Sequence, residues 1–276
     1  MLAPEFLDSG GGRILVTQFR PDDLGDGLAG LVFVPPWAEE ANKSRHVIAA
    51  LGRRLAAEGI VAAVPDLYGT GDSGGGFGDA VWSVWRRNVI DAVALLRDRG
   101  CKRIGIGGLR LGASLALDAM RGLQNPPACL LLWQPVTLGR QLLSQFLRLR
   151  LAASFAGQGA PETPATLRSR LAAGQAVEVA GYLVHPAMAE ALDRLDVSEL
   201  EPAGISADAV RWLECVATAQ GELLPATRAV LEAWSHRGVE VRPELLPGPA
   251  FWSTQELVAA PDLVERSVAL VGASLR

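Results

Sequence analysis

The pentapeptide Gly108-Leu109-Arg110-Leu111-Gly112 is the segment whose spacing points to chemistry. Glycines two positions either side of a central residue form the G-x-Nuc-x-G pattern of a nucleophile elbow. There a serine or cysteine is raised from a sharp strand-to-helix turn for acyl transfer. The glycines are a steric requirement, because neighbouring backbone passes too close for a side chain. Here the central residue is an arginine. A guanidinium stays protonated near neutral pH and cannot attack a carbonyl. It can instead hold a carboxylate or phosphate through paired N–H···O bonds. The pattern therefore predicts a strained turn with positive φ at Arg110 and no conventional nucleophile. Ser114, one helical turn further on, is the nearby hydroxyl. It reads either as a displaced nucleophile or as a small packing residue.

The elements around the motif fit its requirements. Arg103 to Gly107 reads as a buried strand and Ala113 to Met120 as a helix. Elsewhere strands are expected at Gly30–Val34, Ile60–Val64, Ala128–Trp133, Val210–Val216 and Val239–Leu245. Helices are expected at Ser44–Glu58, Asp79–Arg99, Thr227–His236 and Gln255–Leu275. Continuous Val/Ile/Leu runs alternating with helices imply strands buried on both faces, hence a parallel sheet. From about residue 136 to 207 the alternation stops. Leu142, Leu143, Phe146, Leu147 and Leu151 recur at helical spacing within Leu138–Phe155, and further helices are expected at Ala165–Ala173 and Pro186–Leu195. We read residues 1–276 as a single α/β domain. Residues 136–207 would be a helical cap inserted over the carboxyl edge of the sheet, where doubly wound folds bind ligands.

Composition bounds the partners. Hydrophobic residues make up 49% of 276, enough for a sizeable core, and a net charge of −4 gives no electrostatic case for nucleic acid. The three cysteines, Cys101, Cys129 and Cys215, are odd in number and far apart. That argues against a disulfide framework or a zinc site and fits a reducing compartment. The N-terminus lacks a basic stretch followed by an apolar core, and no apolar run is long enough to span a membrane. The expectation is a cytoplasmic protein without metal or cofactor.

With strand order, elbow and cap together, the whole chain looks like an α/β hydrolase. A narrower resemblance rests on Pro35-Pro36-Trp37-Ala38-Glu39-Glu40-Ala41-Asn42-Lys43-Ser44-Arg45, on the elbow, on Gln145-Phe146-Leu147-Arg148-Leu149-Arg150 and on Phe251-Trp252. These resemble the exosortase A system-associated hydrolases of the second type, found beside bacterial exopolysaccharide and protein-sorting genes. The family is called hydrolase by fold, and a fold name does not establish chemistry.

The resemblance fixes where the remaining catalytic groups should lie. The histidine base belongs in the turn Leu246 to Trp252, where Ala250 or Phe251 takes its place. His46, His185 and His236 lie elsewhere; of these, His185 in the cap is the one that could face the cleft. The acid belongs in the loop Thr218 to Pro225, with Gly221 at its position and Glu222 one residue off. Oxyanion donors would be the Leu111 N–H and one from the Trp37-Ala38 region, since Pro36 has no N–H to give. The start of the helix at Leu111 and the charge of Arg110 favour an anion there. That anion is either a ligand's or the protein's own, and Glu39 and Glu40 are the internal candidates. Asn42 or Ser44 would cap the following helix, and Asp66, before a glycine-rich loop, would be structural. Trp252 would line the cleft, as would Trp82, Trp85 and Trp133 unless they belong to the core.

Three functions follow. One is a pseudo-hydrolase that binds a small anionic or acyl ligand. Another is an esterase-like hydrolase using Glu39 or Glu40 as base. The last is a scaffold that docks a protein through the cap. A homodimer remains open.

Overall fold

A computed structural model describes residues 1–23, 28–154, 162–202, 204–218 and 220–276. The chain opens with an antiparallel hairpin, β1 (Leu2–Ser9) and β2 (Gly12–Phe19), turned at Gly10-Gly11. Then β3 (Ala29–Val34), α1 (Glu39–Ala57), β4 (Ile60–Pro65), α2 (Trp82–Asp98), β5 (Arg103–Leu109), α3 (Leu111–Met120) and β6 (Cys129–Trp133) alternate. An insertion follows, made of α4 (Gly139–Ser154), α5 (Pro164–Ala172), the hairpin β7 (Val177–Val179) and β8 (Tyr182–Val184), and α6 (Pro186–Arg194). The alternation resumes with β9 (Val210–Val216), α7 (Pro225–Ser235), β10 (Glu244–Pro247) and α8 (Pro261–Leu275).

Eight strands form one sheet in the order β1-β2-β4-β3-β5-β6-β9-β10, parallel from β4 to β10. Alternate residues of each strand feed opposite layers. Leu31 and Phe33 pack with Val47 and Leu51 of α1 and with Leu263 and Val271 of α8. Val32 and Val34, pointing the other way, belong to the layer of Val89 of α2 and Leu115 of α3, and farther along the sheet Trp212 of β9 meets Trp234 of α7. This is the three-layer α/β arrangement that the alternating pattern predicts, with β5 central and its carboxyl end at Arg110.

Some elements differ from expectation, each for a local reason. Helix α1 begins at Glu39, five residues before Ser44. Neither Asn42 nor Ser44 caps it; Ser44 is buried inside the helix, and its hydroxyl donates to the Glu40 carbonyl at 2.7 Å. The cap position is Ala38, which has no side-chain acceptor, and Glu39 and Glu40 instead set negative charge against the dipole of the first turn. Strand β10 starts at Glu244, because Pro243 just before it cannot donate to a ladder. Helix α8 starts at Pro261, whose ring suits a first helical position. The insertion is not wholly helical. Ala180 and Gly181, with φ of 50° and 85°, make the left-handed two-residue turn that a tight hairpin needs. Phe155, the expected end of the helix from Leu138, lies outside the described residues.

Candidate functional site

Strand β5 delivers Arg110 into a turn with φ 56° and ψ −122°. A side chain rarely adopts this conformation, at a cost on the order of 1–3 kcal/mol. Packing holds it there. A Cβ on Gly108 would lie 2.5 Å from the Gly112 carbonyl, and one on Gly112 would lie 2.3 Å from the Pro35 carbonyl oxygen and 2.4 Å from that of Val34. The β3-to-α1 turn therefore presses directly on the β5-to-α3 turn. It also copies its geometry, with Ala38 at φ 53° and ψ −132°. Two strained turns lie side by side, each feeding a helix N-terminus.

The Arg110 side chain occupies the place the elbow presents. Its Nε donates to Glu40 Oε1 at 3.3 Å, and its Nη1 to the Gln134 carbonyl at 3.4 Å. The guanidinium carbon lies 5.5 Å from the centre of the Trp252 ring, within cation–π range. About a fifth of each charged side chain is exposed, 19% for Arg110 and 22% for Glu40. Burial pushes the Glu40 carboxyl above its ordinary range, and Arg110 opposes that rise without overcoming it. Among the described residues the second oxygen, Oε2, is buried without a partner, as is the indole N–H of Trp37. Glu39 does not join the pair. It is exposed and accepts from Tyr182 Oη at 2.9 Å and Asn42 Nδ2 at 3.0 Å. Trp37 is covered by aromatic rings, with Phe146 of α4 at 4.5 Å and Phe77 stacked at 6.1 Å.

Ser114 is buried, and its hydroxyl donates to the Val136 carbonyl at 2.7 Å, the behaviour of a packing residue. Phe251 is fully buried against Trp133 and Trp252, and Ala250 is exposed. Glu222 points to solvent, with Arg228 3.9 Å away. His185 caps α6, its Nδ1 accepting from the Ala187 N–H at 3.0 Å, and His46 Nε2 lies 3.0 Å from the Val258 carbonyl. His236 ends α7. Among the described residues no histidine hydrogen-bonds a serine, threonine or cysteine side chain. Trp85 and Trp133 belong to the core, and Trp82 donates to Asp118.

Gln134 and Glu214 are site residues that sequence reasoning missed. Gln134 sits at φ 43°, turns its carbonyl to Arg110, and accepts the Cys215 N–H on its side chain at 2.9 Å. The pair Gln134-Pro135 is a turn signal, yet residues before proline usually stay extended. Glu214 is buried inside β9 and accepts from Trp212 Nε1, the Leu224 N–H and the Thr227 hydroxyl. It ties the loop after β9 to α7, so a carboxylate does sit near the acid loop, but its bonds are structural. Cys215 is no substitute nucleophile. Burial and Glu214 push its thiol up to about 11, so it stays protonated at neutral pH.

No family model matches the chain, and no curated protein does. Solved structures do match over its whole length. Est1E from Butyrivibrio proteoclasticus, solved with ferulic acid bound, superposes with a TM-score of 0.62 at 15% identity, covering 96% of each chain. A thermostable carboxyl esterase from Bacillus coagulans, in complex with glycerol, gives 0.62 at 11%, over 100% of this chain and 99% of that one. An α/β serine hydrolase without lid from Xanthomonas campestris gives 0.57 at 15%, over 98% and 93%. The chain has the α/β-hydrolase fold. At these identities the likeness fixes architecture and topology, and the chemistry has to come from the side chains.

Proposed function

We propose that this α/β-hydrolase-fold protein is a pseudo-hydrolase of the exosortase-associated type that binds a small anionic or acyl ligand without cleaving an ester. The observation that carries the reading is the Arg110 guanidinium at the elbow, held by Glu40, Gln134 and the face of Trp252. Acyl transfer needs an activated nucleophile with its base in hydrogen-bond reach. By the resemblance, Ala250 or Phe251 takes the place of the base and Gly221 that of the acid, with Glu222 one residue off. In this reading the insertion over residues 136–207 acts as a cap. Its support is the Phe146 ring against Trp37 and the Tyr182 hydroxyl on Glu39. Three unpaired cysteines favour a cytoplasmic setting.

A second reading has one specific support. The raised Glu40 carboxyl with its unpartnered oxygen is the kind of perturbed group that serves as a general base. Hydrolysis by a water activated at Glu40 would then replace the serine mechanism. Turnover of p-nitrophenyl acetate and butyrate, with fluorophosphonate labelling in parallel, separates the two. The expected result is background turnover and no labelling for wild type and for Arg110→Ser, since the new hydroxyl would have no base. Turnover by wild type that disappears in Glu40→Gln would establish the second reading, and rapid labelling of any wild-type serine would overturn the first.

A further inference from the structure

A separate cleft of about 490 Å³ runs along α1. Arg110, Leu111 and Trp252 do not line it, although Ala38 does. One wall is a stripe of α1 in which Ala41, Arg45, Ala49 and Arg53 follow at four-residue intervals, so that they stack on one face. Between Ala41 and Arg53 the helix rises about 18 Å. The facing wall is apolar, with Phe19 of β2, Val64 of β4 and Leu67. The alanines leave the space open, and the arginines set charge beside it. The volume falls within the 300–1,000 Å³ typical of small-molecule sites, and so does the character, mostly apolar with a few convergent polar groups.

The charges do not balance. Among the described residues Asp66 is the one carboxylate lining the cleft. One of its oxygens accepts the Asp72 N–H at 3.0 Å, and the other lies at 3.5 Å from both Arg45 terminal nitrogens, a long contact. Arg53 forms no ion pair and no side-chain hydrogen bond among the described residues. Arg45 and Arg53 are both exposed, so the cleft is apolar within and cationic at its solvent rim, which suits an amphiphile whose charge is negative and whose tail is a single chain.

We infer that this cleft binds an acyl carboxylate, its head on Arg53 with Arg45 alongside, and its alkyl chain between α1 and β2 toward Ala38. The inference rests on the reading of the protein as a binder of acyl or anionic ligands, and it moves the ligand from the elbow to α1. The elbow arginine already has its anion in Glu40. Of the α1 arginines, Arg45 has Asp66 at 3.5 Å and Arg53 forms no ion pair among the described residues.

Isothermal titration calorimetry of the full chain with decanoate, decanol and butyrate tests it. Decanoate is expected to bind one per chain. Decanol, lacking the charge, and butyrate, lacking the chain, are each expected to bind at least several-fold more weakly. Arg53→Gln should weaken decanoate by roughly 1.5- to 5-fold, the range for an exposed charge pair. Ala49→Trp fills the cleft and should weaken it tenfold or more; Ala41→Leu is the milder filler if the tryptophan variant does not fold. Undetectable decanoate binding overturns the inference, as does binding indifferent to both fillers. Decanoate binding lost in Arg110→Met but kept in Arg53→Gln also overturns it, while leaving the ligand-binding reading intact. Decanoate held at α1 by a protein that also turns over esters would leave the cleft standing and refute the pseudo-hydrolase.

Discussion

Replacing Arg110 by methionine should destabilise the protein in a pH-dependent way, and the structure sets the size. Methionine keeps a Cβ at φ 56°, so the backbone strain does not change. What is lost is the contact with Trp252, on the order of 0.5–1 kcal/mol and independent of pH, the long hydrogen bond to the Gln134 carbonyl, and the partner of Glu40. A stranded carboxylate can escape by taking up a proton. Starting from 4.5, full protonation at pH 7 costs at most about 3.4 kcal/mol, from about 1.36 kcal/mol per pH unit. Glu40 already sits above 4.5 in the wild type, so part of that cost is present before the mutation. The expected loss is therefore about 2–3 kcal/mol near pH 7 and about 1 kcal/mol near pH 4. The sign follows from linkage. A carboxyl raised by the fold favours the native state below its unfolded pKa, and that advantage is lost as pH rises through the folded pKa. Removing Arg110 raises the folded pKa further, so the penalty grows with pH. Glu40→Gln takes out the titrating group, so its stability relative to wild type should rise as pH rises above 4.5, on top of a pH-independent loss from leaving Arg110 without its anion. In Arg110→Met/Glu40→Gln the pH-dependent penalty should vanish. The assay is urea unfolding of all four proteins at several pH values, read as a double-mutant cycle. A flat penalty for Arg110→Met, or additivity within about 0.5 kcal/mol at every pH, would refute the coupling.

Two further outcomes concern the turns. Gly112→Ala drives a Cβ to 2.3 Å from the Pro35 carbonyl oxygen, backbone against backbone, and Gly108→Ala does the same against Gly112; each should destabilise by about 3 kcal/mol or more, measured by chemical unfolding. Ala38→Gly relieves a residue held at φ 53° and should stabilise by about 1 kcal/mol after the entropy of the freer unfolded chain is counted; a loss of stability would show that Ala38 is not strained.

How legible the chain was depends on where each residue takes its orders. Strands β3, β4 and β6 are continuous apolar runs buried on both faces, so their composition announces them, while β9 carries Arg211 and Glu214 within its apolar frame. The elbow announces itself through glycines 108 and 112, whose neighbours are backbone atoms of the adjacent turn. The start of α1 was illegible, because Ala38 is a cap position with no capping side chain. The turn before it is pressed by Gly112 at the Val34 and Pro35 carbonyls, and no local rule encodes that. The β1–β2 hairpin has a glycine turn and could have been read, although its first strand is half exposed and weakly patterned. Gln134 and Glu214 could not. Their parts in the site come from a carbonyl turned by an unusual φ and from a carboxylate buried among three donors. Neither leaves a spacing in the sequence. Glu40 as the partner of Arg110 was readable only to within one residue. Choosing it over Glu39 depends on which face of the first turn of α1 looks at the elbow.

The strain at Arg110 bears on what a strained residue can be taken to mean. Positive φ at an elbow is usually read as stored for catalysis. Here the same dihedrals recur at Ala38, a residue with no functional group. Both turns follow a strand and start a helix, and Gly112 presses one onto the other at Val34 and Pro35. Packing alone therefore accounts for the backbone, whichever side chain stands at the tip. Reactivity is a separate matter, decided by what surrounds that side chain. An arginine at the tip places a permanent cation beside the N-terminus of α3, where backbone N–H groups already attract negative charge. That combination is stable in a half-buried place only if an anion is supplied. The chain supplies one from the first turn of α1, and the turn geometry at Ala38 is what brings Glu40 within 3.3 Å. The two strained turns thus work as a pair. One presents the cation and the other presents its carboxylate, and a fold whose elbow ordinarily positions a nucleophile has its elbow filled by an ion pair.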